Sequence, residues 1–256
     1  MSGSWRLIDF ESNDAPTNMA IDEAILICRS KGESPNTLRL YSWQPSAVSI
    51  GFFQSLQDEV DIEACRREGV DIVRRITGGG AVYHDSRGEV TYSLIVGEGE
   101  HNIPRDILNS YRLICSGIIR GLELLGVKAT FQPVNDILVN GRKISGNAQT
   151  RRMGVILQHG TVLVDADLKR MFRLLKVSDE KIRDKMIKSA EERVTTLRRE
   201  LSSKPSLQEV ASTLKTGFEQ ALNLNLTCGR LTEEEFRLAT KLKSEKYSSW
   251  EWIFRR

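Results

Sequence analysis

Three consecutive glycines, Gly78, Gly79 and Gly80, constrain this chain more than any other feature of its sequence. They stand between two short apolar segments, at 70–73 and 90–96, which are typical of strands. Glycine has no side chain to pack and loses the most backbone entropy on folding, so packing does not account for a run of three. The run therefore predicts a tight turn whose backbone N–H groups come close to a ligand.

Charged and polar residues flank these glycines on both sides. Arg74 and Arg75 precede the run, and Tyr83, His84 and Asp85 follow it. Cations and hydrogen-bond donors beside open backbone N–H groups suit a phosphate or an acyl phosphate. A glycine hairpin with charged flanks is the alternative interpretation, because a glycine cluster alone is a weak signal.

Length and composition describe an ordinary soluble globular chain. It has 256 residues, of which 40% are hydrophobic and 28% are charged. The net charge of +3 argues against a strongly electrostatic nucleic-acid binder. The sequence shows neither an apolar run long enough to span a membrane nor the basic and apolar regions of a signal peptide. We expect a cytoplasmic protein whose partners include neither nucleic acid nor membrane.

The four cysteines, Cys28, Cys65, Cys115 and Cys228, stand far apart and form no Cys-x-x-Cys pair. Their spacing suggests neither a zinc site nor a disulfide framework. We expect buried thiols, because free cysteine behaves as a small apolar residue.

Apolar periodicity predicts an α+β fold in which helices are grouped outside mostly antiparallel strands. The predicted strands lie at 5–10, 38–43, 47–53, 70–73, 90–96, 129–131, 136–139, 143–149 and 155–164. The predicted helices lie at 17–30, 58–68, 106–125, 168–174 and 179–191, and two more begin at capping boxes, Ser206 with Glu209 and Thr232 with Glu235. The short turn at 44–46 implies that strands 38–43 and 47–53 pair with each other. The charged helix at 179–191 is a solvated face or a surface for an acidic partner.

The strongest hairpin signal is Asn140-Gly141, which suits a two-residue type I′ turn. A regular register from this turn places Asp136 opposite Ser145. Alternation of side chains then puts Asp136, Lys143 and Ser145 on the face away from the core, where a carboxylate, an ammonium and a hydroxyl come within reach of one another. The alternative is a lysine that is merely solvated beside a turn.

The histidines give weaker signals. His159 lies inside a strand pattern, so it is either a satisfied strand histidine or a catalytic one. His84 is better placed, because it follows the glycine run, whereas His101 lies in a loop. No convincing Ser/His/Asp order or metal-ligand spacing emerges.

Several segments, taken together and in order, resemble the lipoate–protein ligase family. They lie at 18–24, 51–54, 74–85, 135–136, 141–149, 159–160, 188–189 and 193–195 and cover nearly the whole chain. The resemblance implies a biotin/lipoate ligase-like fold, a mostly antiparallel β-sheet flanked by helices, that forms one catalytic domain over residues 1–256. It also implies an ATP-dependent enzyme with Mg²⁺. Lipoate and ATP give lipoyl-adenylate, and the lipoyl group then moves to a lysine of a glycine-cleavage H protein or a 2-oxoacid dehydrogenase lipoyl domain.

The resemblance assigns roles to individual residues. Lys143 matches the essential lysine and would bind the carboxylate and the α-phosphate, stabilising charge that develops in the transition state. Arg74 or Arg75 would supply a further cation, and Asp136 would be a magnesium ligand. The other substrate- or adenylate-binding residues would be Thr77, Gly78, Gly79, Gly80, Val82, Tyr83, His84, Asn135, Asp136, Ser145, Gly146, His159 and Gly160.

Two other activities share this scaffold or this site. Octanoyltransferases, which use acyl carrier protein as donor, employ a cysteine just upstream of the strand that carries the lysine. This chain has no cysteine between Cys115 and Cys228, which favours the ligase. A non-catalytic lipoate- or adenylate-binding protein is the other alternative, and retention of Lys143 with all three glycines argues against it. Biotin ligation is less favoured, because the glycine run differs from the biotin-type loop.

Many of the similar ligases continue into a small accessory domain, whereas this chain stops at Arg256. We therefore expect adenylation to need a separate small accessory protein. Trp250, Trp252 and Phe254 are expected to pack back onto the core or to form part of a docking patch.

Overall fold

A computed structural model describes residues 5–176 and 192–255. The charged helix predicted at 179–191 lies outside these residues. An eight-stranded sheet and a three-stranded sheet form the centre of the described structure. The strands are β1 Trp5–Asn13, β2 Thr37–Trp43, β3 Ala47–Ile50, β4 Asp71–Arg74, β5 Val82–His84, β6 Glu89–Gly97, β7 Thr130–Gln132, β8 Asp136–Val139, β9 Arg142–Arg152, β10 Val155–Leu163 and β11 Leu226–Cys228.

The large sheet has the strand order β11-β1-β2-β6-β10-β9-β8-β7. Strand β1 runs parallel to both of its neighbours, β11 and β2, and the other pairs are antiparallel. The α+β prediction with a mostly antiparallel sheet is confirmed.

The predicted pairing of β2 with β3 is wrong. Both edges of β2 are already bonded, to β1 and to β6, so no edge is left for the strand that follows it. Strand β3 instead forms the centre of the small sheet, between β4 and β5. The short turn before β3 thus carries the chain from one sheet to the other.

The helices surround these sheets. They are α1 Ala15–Ser30, α2 Leu56–Glu59, α3 Ile62–Arg67, α4 Ile107–Leu124, α5 Leu168–Leu174, α6 Leu197–Glu200, α7 Leu207–Leu222, α8 Glu233–Leu242 and α9 Trp250–Ile253, with a π-helical turn at Lys243–Tyr247. Both predicted capping boxes are present. The single helix predicted at 58–68 is two short ones, because Val60 is extended and Asp61 caps a new helix.

The two faces of the large sheet bury separate apolar clusters. On one face α4 and α7 pack closely, and a Cβ on Gly217 would lie 2.3 Å from the backbone nitrogen of Gly121, so only glycine fits this contact. On the other face α1 covers the sheet, and α8 packs against α1. Over residues 5–176 and 192–255, no helix combines the length and apolar character that crossing a membrane requires.

Candidate active site

A cleft of about 350 Å³ lies between the small sheet and strands β9 and β10 of the large sheet. This volume is within the range of small-molecule sites. Most of the predicted site residues line it: Arg75, Gly79, Gly80, Val82, Tyr83, His84, Asn135, Lys143, Ser145, Gly146, His159 and Gly160. Arg74, Thr77, Gly78 and Asp136 are not part of its wall.

The ammonium of Lys143 forms an ion pair of 2.7 Å with Asp136. The lysine side chain lies across the backbone of Gly146, where an added Cβ would be 2.9 Å from its Cε and Nζ atoms. Side chains of 41% and 31% exposure are well solvated, so the pair contributes only about 0–1 kcal/mol. An anionic substrate group can therefore replace Asp136 at little cost.

The hairpin that carries Lys143 differs from the predicted register by one residue. Asp136 pairs with Gly146 and Ile137 with Ser145, and the register shifts between Ile137 and Leu138. The prediction that Asp136 faces Ser145 is wrong, because the bulge leaves Ile144 as an extra residue on β9. Ile144 is buried in the core, which offsets the lost ladder pairing.

Asp136, the predicted magnesium ligand, pairs with a cation in this structure. Its Oδ1 atom contacts the Lys143 ammonium. Within residues 5–176 and 192–255, no group of three or more histidine, cysteine or acidic side chains is arranged to hold a metal ion. Magnesium that binds with a nucleotide takes one or two carboxylates together with phosphate oxygens and water, so the magnesium role of Asp136 stays a prediction.

Arg75 supports the backbone of residues 78–80, the glycine loop, through hydrogen bonds from its side chain. Its guanidinium donates to the carbonyl oxygens of Ser49, Gly78 and Gly80 at 3.0, 2.8 and 2.8 Å. Gly79 has a φ of 94°, which only glycine adopts readily. Burial lowers the pKa of Arg75 to about 10, so the side chain remains charged at neutral pH. Its positive charge thus lies on the cleft wall.

Arg74 points away from the cleft. Its fully buried guanidinium donates to five carbonyl oxygens, those of Gly51, Phe52, Gln54, Trp252 and Ile253. In return the indole nitrogen of Trp252 donates to the carbonyl of Arg74 at 2.9 Å. Of the two arginines, only Arg75 can present charge to a ligand. Arg74 instead links helix α9 to strand β4 of the small sheet through these hydrogen bonds.

His159 joins the glycine loop to α1. Its Nε2 atom lies 2.7 Å from the hydroxyl of Thr77, and its Nδ1 atom lies 3.3 Å from a carboxylate oxygen of Asp22. Burial lowers the pKa of His159, so the ring is neutral at pH 7. A neutral ring that donates to Asp22 through Nδ1 accepts the Thr77 hydroxyl through Nε2.

Ser49 is a cleft residue that sequence reasoning missed. Its Oγ atom lies 2.8 Å from Nε2 of His84, and Nδ1 of His84 lies 2.6 Å from Oε1 of Glu89. Trp43 stacks on the imidazole with a centroid separation of 3.9 Å. No local spacing signals this group, because the pairing of β3 with β5 brings together residues that are far apart in sequence.

Asn147 is a second missed residue, although it falls within the 141–149 motif. Its side-chain oxygen accepts a 2.8 Å hydrogen bond from Tyr92, and its amide nitrogen donates to the carbonyl of Asn135 at 2.8 Å. A Cβ on Gly160 would lie 2.1 Å from the same oxygen. Gly160 therefore leaves room for the side chain that holds Asn135 at the cleft.

A family model for the lipoyl protein ligase A/B catalytic domain matches residues 14–219. The chain belongs to this family. Among curated proteins it is 40% identical to octanoyltransferase LipM of Kyrpidia tusciae, over 99% of each chain. Among solved structures it is similar to a bi-partite lipoate protein ligase of Thermoplasma acidophilum, with a TM-score of 0.88, 33% identity and coverage of 98% and 96% of the two chains. It is also similar to a lipoate-protein ligase A bound with ATP, with a TM-score of 0.84, 31% identity and coverage of 98% of this chain and 99% of that chain.

In this member of the ligase A/B family, the cleft contains no thiol. All four cysteines lie in the described part of the chain, and none of them lines the cleft. Burial raises the pKa of both Cys65 and Cys115 to about 12. Cys228 is exposed on β11, at the edge of the large sheet.

Proposed function

We propose that this chain transfers an eight-carbon acyl group, octanoyl or lipoyl, to a lysine of a lipoyl-acceptor protein. The observation that carries the proposal is the position of Lys143, a half-exposed ammonium on the wall of a cleft in a member of the ligase A/B family. Such a group can approach the acyl carbonyl and stabilise the negative charge that develops on its oxygen. The acceptors would be H protein or 2-oxoacid dehydrogenase lipoyl domains.

The cleft can also hold the acyl chain. Met19, Ala81, Leu163 and Met171 contribute apolar surface to its wall. Each methylene buried against such surface contributes roughly 0.8 kcal/mol. An eight-carbon chain would therefore provide a large part of the substrate affinity.

Octanoyl-acyl carrier protein is the first candidate for the donor. Similarity to octanoyltransferases extends over nearly the whole chain at 34–40% identity. This similarity favours the transferase over the ligase that the sequence motifs alone had favoured. In the transferase the lysine amine replaces a thiol at the acyl carbonyl, and no nucleotide takes part.

Lipoate with ATP is the second candidate for the donor, and a specific observation favours it. None of the cysteines lines the cleft, so an acyl group cannot be held there as an enzyme thioester. An acyl-adenylate needs no such thiol. A separate accessory protein for adenylation stays a prediction within this second proposal.

The test supplies both donors to the purified chain. An apo lipoyl domain is incubated with octanoyl-acyl carrier protein, or with lipoate, ATP and Mg²⁺, and the mass of the domain is measured. We expect modification from octanoyl-acyl carrier protein without nucleotide. Modification only with lipoate and ATP, or only with pre-made lipoyl-adenylate, would establish the second candidate. Binding of octanoate or lipoate without transfer from any donor, including pre-made lipoyl-adenylate, would overturn both and leave the non-catalytic alternative.

A further inference from the structure

Ser49, His84 and Glu89 form a continuous hydrogen-bonded line on the cleft wall. The separations are 2.8 Å from serine to imidazole and 2.6 Å from imidazole to carboxylate. All three side chains are buried, yet Ser49 and His84 both line the cleft. A hydroxyl, a base and a carboxylate that orients the base constitute an activated nucleophile, whichever residues supply them.

The hydrogen-bond partners determine which atoms of Ser49 and His84 carry the hydrogens. Oε1 of Glu89 already accepts the hydroxyl of Thr91, so it acts as an acceptor, and Nδ1 of His84 carries the hydrogen that points to it. Nε2 of His84 then has a free lone pair. The Oγ atom of Ser49 already accepts from a guanidinium nitrogen of Arg75 at 3.1 Å. Its own hydrogen is therefore directed to His84, which is the arrangement that general-base activation requires.

The surrounding charges favour proton transfer from Ser49 to His84. The Arg75 guanidinium stabilises negative charge that develops on Oγ. Among the described residues, Glu89 receives hydrogen bonds from His84 and Thr91 and has no cationic partner, and its Oε2 atom is unpartnered. A buried carboxylate without a counter-ion gains most when the neighbouring imidazole becomes an imidazolium.

A second line of the same type, Thr77, His159 and Asp22, is a useful comparison. Its distances are 2.7 and 3.3 Å. Thr77, however, is fully buried and does not line the cleft, so its hydroxyl cannot meet a substrate there. Asp22 also contacts the Arg39 guanidinium, which already compensates its charge. Only the line that contains Ser49 combines an activated hydroxyl with access to the cleft.

We propose that Ser49 is the nucleophile of this transferase and carries the acyl group as an ester; this rests on the proposed transfer from an acyl thioester. The Oγ atom attacks the thioester carbonyl, the C–S bond breaks, and the serine proton passes through His84 to the leaving thiolate. The acceptor lysine amine then attacks the ester. The C–O bond breaks, an amide forms, and a proton from the amine returns through His84 to Oγ. A serine in this role accounts for a transferase whose cleft contains no thiol.

The experiment uses octanoyl-pantetheine thioester and the full chain in the absence of an acceptor. We expect the intact mass to rise by one octanoyl group, and proteolytic mapping to place that group on Ser49. The adduct should be released by alkaline hydroxylamine, which cleaves esters and leaves amides intact. Mapping of the group to another residue, or no adduct in an enzyme that transfers octanoate to an apo lipoyl domain, would overturn the proposal.

Variants separate a nucleophile from a structural serine. Ser49→Ala should lose the adduct and lower transfer from the thioester by at least roughly 10²-fold. Ser46→Ala is the matched control, since Ser46 precedes the same strand and lies outside the cleft wall. Ser49→Cys should form an adduct that neutral hydroxylamine cleaves, as expected of a thioester. This third variant keeps the test decisive if Ser49→Ala folds poorly.

Failure of this inference is distinguishable from failure of the proposed function. Undiminished transfer by a folded Ser49→Ala variant would refute the serine while leaving acyl transfer to lysine in place. An adduct on Ser49 with no transfer to any lipoyl domain would refute the transferase while supporting the nucleophile.

Discussion

Lys143 and Asp136 form a 2.7 Å ion pair beside the cleft, and both side chains remain partly open to solvent. The pair stabilises the fold by only about 0–1 kcal/mol. Because the lysine lies across Gly146 and fills no space in the core, removing it opens no cavity. Its charge is therefore available for the reaction.

We predict that Lys143→Ala lowers acyl transfer by roughly 10²–10³-fold, the effect of removing one preorganised charge-stabilising group. The unfolding midpoint in urea should stay close to that of the wild type. Asp136→Asn is the control, and it should lower transfer less than Lys143→Ala, since it removes only a weak partner of the lysine. Wild-type transfer by folded Lys143→Ala would refute the role of the lysine, and equal losses in both variants would give Asp136 a direct role.

Local patterns in the sequence predicted much of this fold. The helix spacing, the capping boxes and the hairpin at Asn140-Gly141 depend on neighbours in the chain, and all of them are present. The bulge beside Ile144 depends on how that side chain packs, and the partner of β3 depends on which strand edges are already occupied. Neither fact is encoded within a few residues, so both were mispredicted.

In the candidate site, too, local sequence patterns reveal some residues and not others. Glycines and Lys143 stand in recognisable local patterns, and the structure places most of them around one cleft. Arg74 and Arg75 are adjacent and chemically identical, and only the opposite orientations of their side chains at the end of β4 separate a structural role from a cleft role. Ser49 joins His84 only through the pairing of β3 with β5, whereas Glu89 lies five residues after His84, and no recognised motif marks that spacing.

Arg74→Ala should destabilise the protein by about 3 kcal/mol or more, because it leaves several buried carbonyl oxygens without a donor. Urea unfolding measures this change. Arg66→Ala provides the control, since Arg66 is exposed and forms its ion pair with exposed Glu63, an interaction of about 0–1 kcal/mol. Similar unfolding free energies for the two variants would contradict the structural role of Arg74.

Gly51→Ala should displace the glycine loop. A Cβ at this position would lie 2.0 Å from the carbonyl oxygen of Gly79, a contact that backbone cannot accept without moving. We expect a higher KM for the acyl donor and a lower melting temperature. Gly80→Ala is the matched control for stability, because a Cβ there meets nothing within 4 Å. An unchanged KM in Gly51→Ala would show that the loop does not contact the donor.

A chain in which all four cysteines are replaced by alanine should remain folded and active in acyl transfer. None of the thiols lines the cleft, and burial raises the pKa of Cys115 to about 12, so its reactive thiolate form is scarce at neutral pH. Transfer assays and thermal melting of each single variant and of the combined variant test this. Loss of transfer in one soluble variant with an unchanged melting temperature would identify a cysteine nucleophile.

The protein should lose stability as the pH falls below neutrality, and His159 should account for part of the loss. Burial holds the pKa of His159 below its ordinary value of about 6.5, whereas the unfolded chain has that ordinary value. The unfolded state therefore binds a proton first. The stability that neutral His159 contributes is complete above pH of about 6.5 and decreases as the pH falls toward the folded pKa, by at most about 1.4 kcal/mol per pH unit.

His159→Gln should reduce this pH dependence, since it removes the titrating group. The measurement is the free energy of unfolding in urea at a series of pH values from 7 downward. Burial raises the pKa of Asp22, but the hydrogen bond from His159 and the charge of Arg39 bring that pKa below its ordinary value, so Asp22 stays ionised over this window. His101→Gln is the comparison variant: burial also lowers the pKa of His101, so this variant should remove a separate share of the pH dependence and leave the share of His159 in place. If the His159→Gln variant lost stability with acidification as steeply as the wild type, His159 would not be neutral in the folded protein, and its hydrogen bond from Thr77 would have to be reassigned.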